Sequence, residues 1–316
     1  MNPFPYSNDN KRYKSLAFEN SLQGIKTYKA VIDAGLSCPN IDGTKGVGGC
    51  IYCDGGSGYF TASPTVSIEK QLTDELIRIR KKAPDAKAIA YFQAHSNTYA
   101  PVSKLRSMFE AALSHEGICG LSIATRADCL SSAVLDYLSE LNARTRLTLE
   151  LGLQTSFDET AELINRGHGF SEFVEGYNAL KKRGIRVIVH IINGLPGETA
   201  DMMVETARIL GCLRPDGVKI HLLHVISGTK LCEMFERGEY LPMSLADYTE
   251  TVVRQLEVLP PETTLERLTG DGEQTALVAP LWSRDKIRVL GTIDKLMAEQ
   301  NTWQGRCFIN QKMTLR

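Results

Sequence analysis

The chain has 316 residues, with 36 basic and 37 acidic side chains and a formal charge of −1. That length is ample for a sizeable core, and the near-neutral balance argues against wholesale electrostatic capture of nucleic acid, leaving room only for a local basic face. The opening M-N-P-F-P-Y-S-N-D-N-K-R-Y-K lacks the apolar core of a signal peptide, no run approaches the ~20 apolar residues of a membrane span, and eight cysteines without a regular framework fit a reducing cytoplasm.

Residues 1–26 alternate polar and aromatic side chains and read as an N-terminal arm hugging the surface. Tyr28 to Ala34 reads as the first strand, and Val66 to Lys82 places Ile68, Leu72, Leu76 and Ile79 at helical spacing. Strand and helix then alternate: a strand at Ala88 to Gln93, a helix near 102–115, a strand at Gly120 to Thr125, a helix at 131–142 and a strand at Arg146 to Gln154. Helical segments at 158–165 and 171–183 lead to Ile185 to Asn193, almost wholly apolar, as a strand covered on both faces should be. A helix at 200–212 precedes the sixth strand, Gly217 to Val225. Successive β-α units of this kind predict an α/β fold, a parallel sheet curling one way under outer helices. The alternation spans less than the ~250 residues of a complete eight-stranded barrel, so a partial six-stranded barrel over 27–240 is expected. Residues 241–316, with helices near 244–258 and 284–299 around a short strand at Thr264 to Leu268, form an extension packed against it.

Between the first strand and its helix lies S-C-P-N-I-D-G-T-K-G-V-G-G-C-I-Y-C-D-G-G-S-G, which sets Cys38, Cys50 and Cys53 at C-x11-C-x2-C. Structural zinc normally takes four Cys or His ligands, and an iron-sulfur cube is usually held by four Cys. Three thiolates leave one coordination position open, through which a metal site admits a small molecule. A C-x2-C pair alone would suit zinc, redox chemistry or a cluster. Gly46, Gly48, Gly49, Gly55, Gly56 and Gly58 allow close backbone approach or positive φ around the ligands.

With the frame C-P-N-x-D-G-T-x-G-x-G-G-C-x-Y-C, this stretch resembles the radical SAM superfamily, and within it the bacterial proteins related to the radical SAM half of the Elongator catalytic subunit. The superfamily's general spacing is C-x3-C-x2-C, and the longer first gap here is shared with that subgroup. The resemblance extends through Tyr91 to Pro101, Ser122 to Cys129, Leu149 to His168 and His190 to Gly228. It implies a [4Fe-4S] cluster on Cys38, Cys50 and Cys53 whose fourth iron binds S-adenosylmethionine. It further implies reductive cleavage to a 5′-deoxyadenosyl radical that abstracts hydrogen from a substrate.

The cofactor contacts are expected at carboxyl ends of strands, where loops converge on one mouth. Asn97 and Thr98 stand where relatives carry a G-G-E-like segment for the amino group, and they serve equally as caps for the helix beginning near Pro101. Arg126 can pair bidentately with a carboxylate, or form a surface ion pair. Glu150, between Leu149 and Leu151, shares a strand face with Gly152, Gln154 and Ser156, and Gln154 matches a ribose-contacting position in related families. Arg166, in I-N-R-G-H, matches a carboxylate-holding position, with a helix C-terminal cation as the alternative. Ile192 and Gly194, with Gly197 and Glu198, match the adenine-lining segment, where His190 replaces its first glycine. His95 is a candidate acid or base toward substrate, with an ordinary loop histidine as the preferred reading, and strand alternation points His221 and His224 to opposite faces. Expected partners are a flavodoxin- or ferredoxin-like one-electron donor and either tRNA or a small-molecule substrate, with no membrane. The Elongator likeness suggests RNA, although this sequence ends without the acetyltransferase domain found there. A non-catalytic iron-sulfur carrier and a zinc-stabilised binding barrel are the competing classes.

Overall fold

The computed structural model describes residues 2–22, 24, 27–54, 62–93, 95–270 and 275–310. Its elements run α1 (Leu16–Leu22), β1 (Thr27–Ile32), α2 (Ile68–Arg80), β2 (Lys87–Phe92), α3 (Val102–Leu113), β3 (Ile118–Thr125), α4 (Ser132–Arg144), β4 (Arg146–Gln154), α5 (Asp158–Leu163), α6 (Phe170–Lys181), β5 (Arg186–Asn193), α7 (Ala200–Leu213) and β6 (Gly217–Leu222). There follow β7 (Val225–Ile226), α8 (Lys230–Glu236), α9 (Leu245–Val258), β8 (Thr264–Arg267), β9 (Leu277–Ala279) and α10 (Lys286–Glu299). Strands β1 to β6 pair in sequence order, all parallel, and β8 adds a seventh parallel strand beside β6. The result is the expected α/β partial barrel, one strand wider than its six repeating units.

Sequence chemistry explains the layers. Val187, Ile188, Val189 and Ile191 of β5 are all buried, because helices cover the outer face and side chains fill the inner one. α2 sinks Leu72, Leu76 and Ile79 into that outer layer and starts where the Ser67 hydroxyl accepts from Lys70 N at 3.3 Å. Caps of this kind contribute about 1 kcal/mol, and Ser131, Thr199 and Ser244 repeat the device at α4, α7 and α9.

The two edges, β1 and β8, are not hydrogen-bonded to each other, but Lys29 Nζ of β1 reaches Glu266 of β8 at 3.1 Å. Beside β8, Leu265 N donates to Lys14 O at 2.8 Å, so the arm shields that edge. The sixth strand is shorter than its apolar run suggested. It leaves the sheet after Leu222, and Val225–Ile226 pair antiparallel with Leu277–Ala279 instead. A second apolar cluster then joins Ile51, Ile164, Leu195, Leu223, Val225, Leu231 and Tyr240, and it backs the cysteine loop.

Candidate active site

The cysteine loop leaves the carboxyl end of β1 and is built largely by its own backbone. Ile41 N donates to Cys38 O at 2.8 Å, Gly49 N to Asn40 O at 2.9 Å, and Cys53 N to Cys50 O at 2.9 Å. Two further bonds tie it to distant elements: Ile51 N to Ile164 O at 3.1 Å and Leu231 N to Ile51 O at 2.8 Å. Gly48 and Gly49 take positive φ, as the glycine-rich loop required, while Gly55, Gly56 and Gly58 lie outside the described residues.

Asn40, to which the motif alone assigned no role, pins the loop. Its side chain is fully buried, donates to Asn165 O at 2.5 Å and lies 3.9 Å from the Cys50 sulfur. Gly46 and Gly167 flank it so closely that a Cβ on either would collide with its amide oxygen. The asparagine of C-P-N was the available signal.

Cys38, Cys50 and Cys53 all line one cavity of about 450 Å³ at the barrel mouth, and none of the eight cysteines forms a disulfide. Burial pushes the Cys50 thiol above its ordinary value, so an electrophilic metal is what would favour its thiolate. Among the described residues, no three His, Cys, Asp or Glu side chains converge on a single-ion position.

The same cavity collects Arg126, Glu150, Gln154, Arg166 and Ile192, together with His95, His168, His190, His221 and His224. Arg166 is 2% exposed; its Nε donates to His168 O at 2.9 Å and its Nη1 to the Leu153 and Thr155 carbonyls, which end β4. It therefore caps a strand rather than a helix. Its Nη2 is buried without a hydrogen-bond partner, 3.7 Å from Asp158, and both ring nitrogens of buried His168 are likewise unpartnered. Unpartnered nitrogens on residues that line a cavity shared with three thiols, donors on Arg166 and a donor and an acceptor on neutral His168, fit a bound molecule with carboxylate and amine groups.

Arg126 is already engaged: it grips Asp128 bidentately at 2.9 Å and donates to Arg166 O at 2.7 Å. Gln154 has φ of +66° at a break in the β4–β5 register, which interrupts the simple alternation assumed for 150, 152 and 154 while leaving its side chain in the cavity. Asn97, Thr98 and Gly194 are absent from the cavity wall. Asn97 Nδ2 donates to Ala124 O at 3.0 Å, Thr98 Oγ1 to Cys129 O at 2.8 Å, and the Gly194 carbonyl accepts from Tyr240 OH at 2.8 Å. Strand alternation misplaced His224: it lies past the end of β6, where a period of two no longer applies, and lines the cavity with His221.

The floor is a polar knot. Buried Glu150 accepts from Lys29 Nζ at 2.6 Å, Tyr91 OH at 2.9 Å and Ser122 Oγ at 2.7 Å, meets His190 Nε2 at 2.7 Å and contacts Lys219 Nζ. With Glu266 on Lys29, each of the seven parallel strands contributes one side chain. Burial opposes ionisation of Glu150, but Lys219, Lys29 and the His190 contact outweigh it and hold the carboxyl well below its usual range. Burial lowers the Lys219 ammonium to about 8 and, with the Lys219 charge nearby, His190 to about 4. Neutral His190 must then present Nε2–H to the carboxylate, which only accepts. Lys219 was overlooked in the sequence, although it interrupts an apolar strand just as Glu150 does.

Parallel barrels carry out chemistry where these strand ends converge, and the three cysteines lie there. The chain belongs to the radical SAM superfamily: residues 43–210 match the model of that superfamily, and residues 215–299 match the radical SAM C-terminal domain. It is accordingly a radical SAM enzyme, whose cofactors are a [4Fe-4S] cluster and S-adenosylmethionine. Among relatives, it is 48% identical to YtqA of Bacillus subtilis over 309 residues, covering 97% of this chain and 96% of that one. It is also 32% identical over 161 residues to tRNA uridine(34) acetyltransferase of Methanocaldococcus infernus, half of this chain and 30% of that protein. The solved Elp3 of Methanocaldococcus infernus shares the fold with a TM-score of 0.66 at 19% identity, over 88% of this chain and 64% of that one. No helix among the described residues is long and apolar enough to cross a membrane.

Proposed function

We propose that Cys38, Cys50 and Cys53 hold the [4Fe-4S] cluster and that this chain cleaves S-adenosylmethionine above the Glu150 floor. When bound, the two cofactors supply a 5′-deoxyadenosyl radical that removes hydrogen from a substrate. The carrying observation is the convergence of three thiols and the orphaned Arg166 and His168 nitrogens on one cavity. Arg166 Nη2, paired only loosely with Asp158 at 3.7 Å and without a hydrogen-bond partner, is the donor offered to the ligand carboxylate, with Gln154 and Ile192 on the adenosyl side. Arg126 holds Asp128 and the Arg166 carbonyl in place. Asn97, Thr98 and Gly194 act one step back, fixing the backbone that shapes the mouth. Three Cys ligands, one short of the four that close a structural zinc site, favour a cluster with an open iron over zinc.

The test is anaerobic reconstitution with iron and sulfide, then reductant and S-adenosylmethionine. Wild type should yield 5′-deoxyadenosine and Cys50→Ala none; undiminished product from Cys50→Ala would sink the ligand assignment. A flavodoxin- or ferredoxin-type donor in a reducing cytoplasm would supply the electron in the cell.

For the substrate, similarity to a tRNA uridine(34) acetyltransferase over half the chain supports a tRNA nucleotide. With a formal charge of −1, any RNA contact has to be local. Transfer RNA binding that weakens as salt rises supports this reading, and no binding even at low salt turns it toward a small metabolite.

A further inference from the structure

Beneath the Glu150 knot lies a second cavity, of about 470 Å³, at the amino ends of the strands. Thr27, Arg146 and Arg186, the first residues of β1, β4 and β5, stand on its wall, and Leu16, Glu19 and Asn20 of α1 border it. It shares Tyr91, Gln93, Lys219 and Arg267 with the cavity above, so the knot is the partition between two chambers. Complete barrels fill this level with bulky branched side chains. Here Lys29, Arg146, Arg186 and Lys219 face an open space instead.

The charge of this lower chamber is unbalanced. Lys29 lies 3.1 Å and Arg186 3.7 Å from the one carboxylate of Glu266, Lys29 and Lys219 divide Glu150, and Glu19 is engaged by Lys14 at 2.7 Å. Arg146 makes no ion pair with any described residue. Cations gathered around one recess repel one another, and a bound anion relieves that repulsion. Guanidinium groups are matched in shape to carboxylate and phosphate oxygens. Thr27, Ser122, Thr148 and Asn20 add neutral hydrogen-bonding groups around the same space.

We propose that this lower chamber is a binding site for a small polyanion bearing carboxylate or phosphate groups, seated against Arg146, Arg186 and Lys29. The lowered Lys219 ammonium is consistent with it: burial is the main cause, and the charges of Lys29 and Arg267 add to it.

The experiment titrates the purified protein with inorganic phosphate and, separately, with citrate, holding ionic strength constant with sodium chloride, and follows Tm and the phosphorus-31 line width of phosphate. A saturable rise in Tm that chloride does not reproduce is expected, with apparent affinity at least tenfold weaker in Arg146→Gln/Arg186→Gln. A response to citrate alone identifies a polycarboxylate, and one to phosphate alone a phosphorylated ligand. No saturable response to either anion, or an unchanged response in the double variant, overturns the proposal. Should loss of the Glu266 contact destabilise Arg186→Gln, the single Arg146→Gln carries the same comparison, since Arg146 is exposed and without an ion pair among the described residues. Both readouts report binding, so a negative result leaves the S-adenosylmethionine reading standing.

Discussion

The cysteine loop and the Glu150 knot bound the same cavity and are built in opposite ways. The loop is closed mainly by backbone bonds between close neighbours in the chain, such as Ile41 to Cys38 and Cys53 to Cys50. The knot closes on one carboxylate with partners 28 to 121 residues away. Soft ligands need a mobile backbone brought to a few defined shapes, which glycines and an asparagine provide locally. A buried charge needs several strands in register before it is tolerable, because desolvation costs several kcal/mol per ion until its partners arrive. The two regions should therefore fail differently, the loop in chemistry and the knot in stability.

The largest expected effect is on chemistry. Cys50→Ala should remove 5′-deoxyadenosine formation while changing unfolding free energy by no more than about 2 kcal/mol, measured in urea. Next comes the knot: Glu150→Leu strands Lys219, while Lys29 keeps Glu266, and should cost about 3–5 kcal/mol, with Lys219→Met in the same chain recovering much of it. A Glu150→Leu protein as stable as wild type would erase the contrast. Asn40→Ala lies between the two regimes. It should lose about 1–3 kcal/mol through the orphaned Asn165 carbonyl, and release iron to a chelator faster than wild type.

The smallest effect is in pH dependence. Burial, followed by the Lys286 charge, lowers His224 to about 4 from its ordinary 6.5. Between those values the unfolded chain binds the proton that the folded chain refuses, so stability falls as pH drops from 6.5 toward 4. The slope is up to about 1 kcal/mol per pH unit after allowing for partial exposure. His168, His190 and His221 are lowered in the same direction and share that limb, so His224→Gln should reduce its slope by one group's share, and an unchanged slope would mean that His224 contributes nothing to it.

Much of the scaffold was legible because strand and helix periods are local properties. The fourth strand was expected at Arg146 to Gln154 and is found there, since its flanking helices and the alternation of Leu147, Leu149, Leu151 and Leu153 with other residues leave one solution. The sixth strand overshot, because Leu222, Leu223 and Val225 are equally apolar whether they continue a sheet or turn to meet Leu277–Ala279. The choice depends on a partner more than fifty residues away, which hydropathy does not encode. The same holds for Thr264–Arg267, short enough to read as an isolated strand until β6 offers it an edge.

From the chain alone came the alternating α/β plan, the three cysteines and their glycine-rich surroundings, and an acidic residue on an inward strand face. Folding alone decided that Lys29, Tyr91, Ser122, His190 and Lys219 would meet that acid, that Arg126 would be taken up by Asp128, and that Arg166 would keep one nitrogen without a hydrogen-bond partner. The reason is one of range. Backbone preference and ligand type are written within a few residues, whereas the pairing of buried charges is settled only when distant strands close on one another.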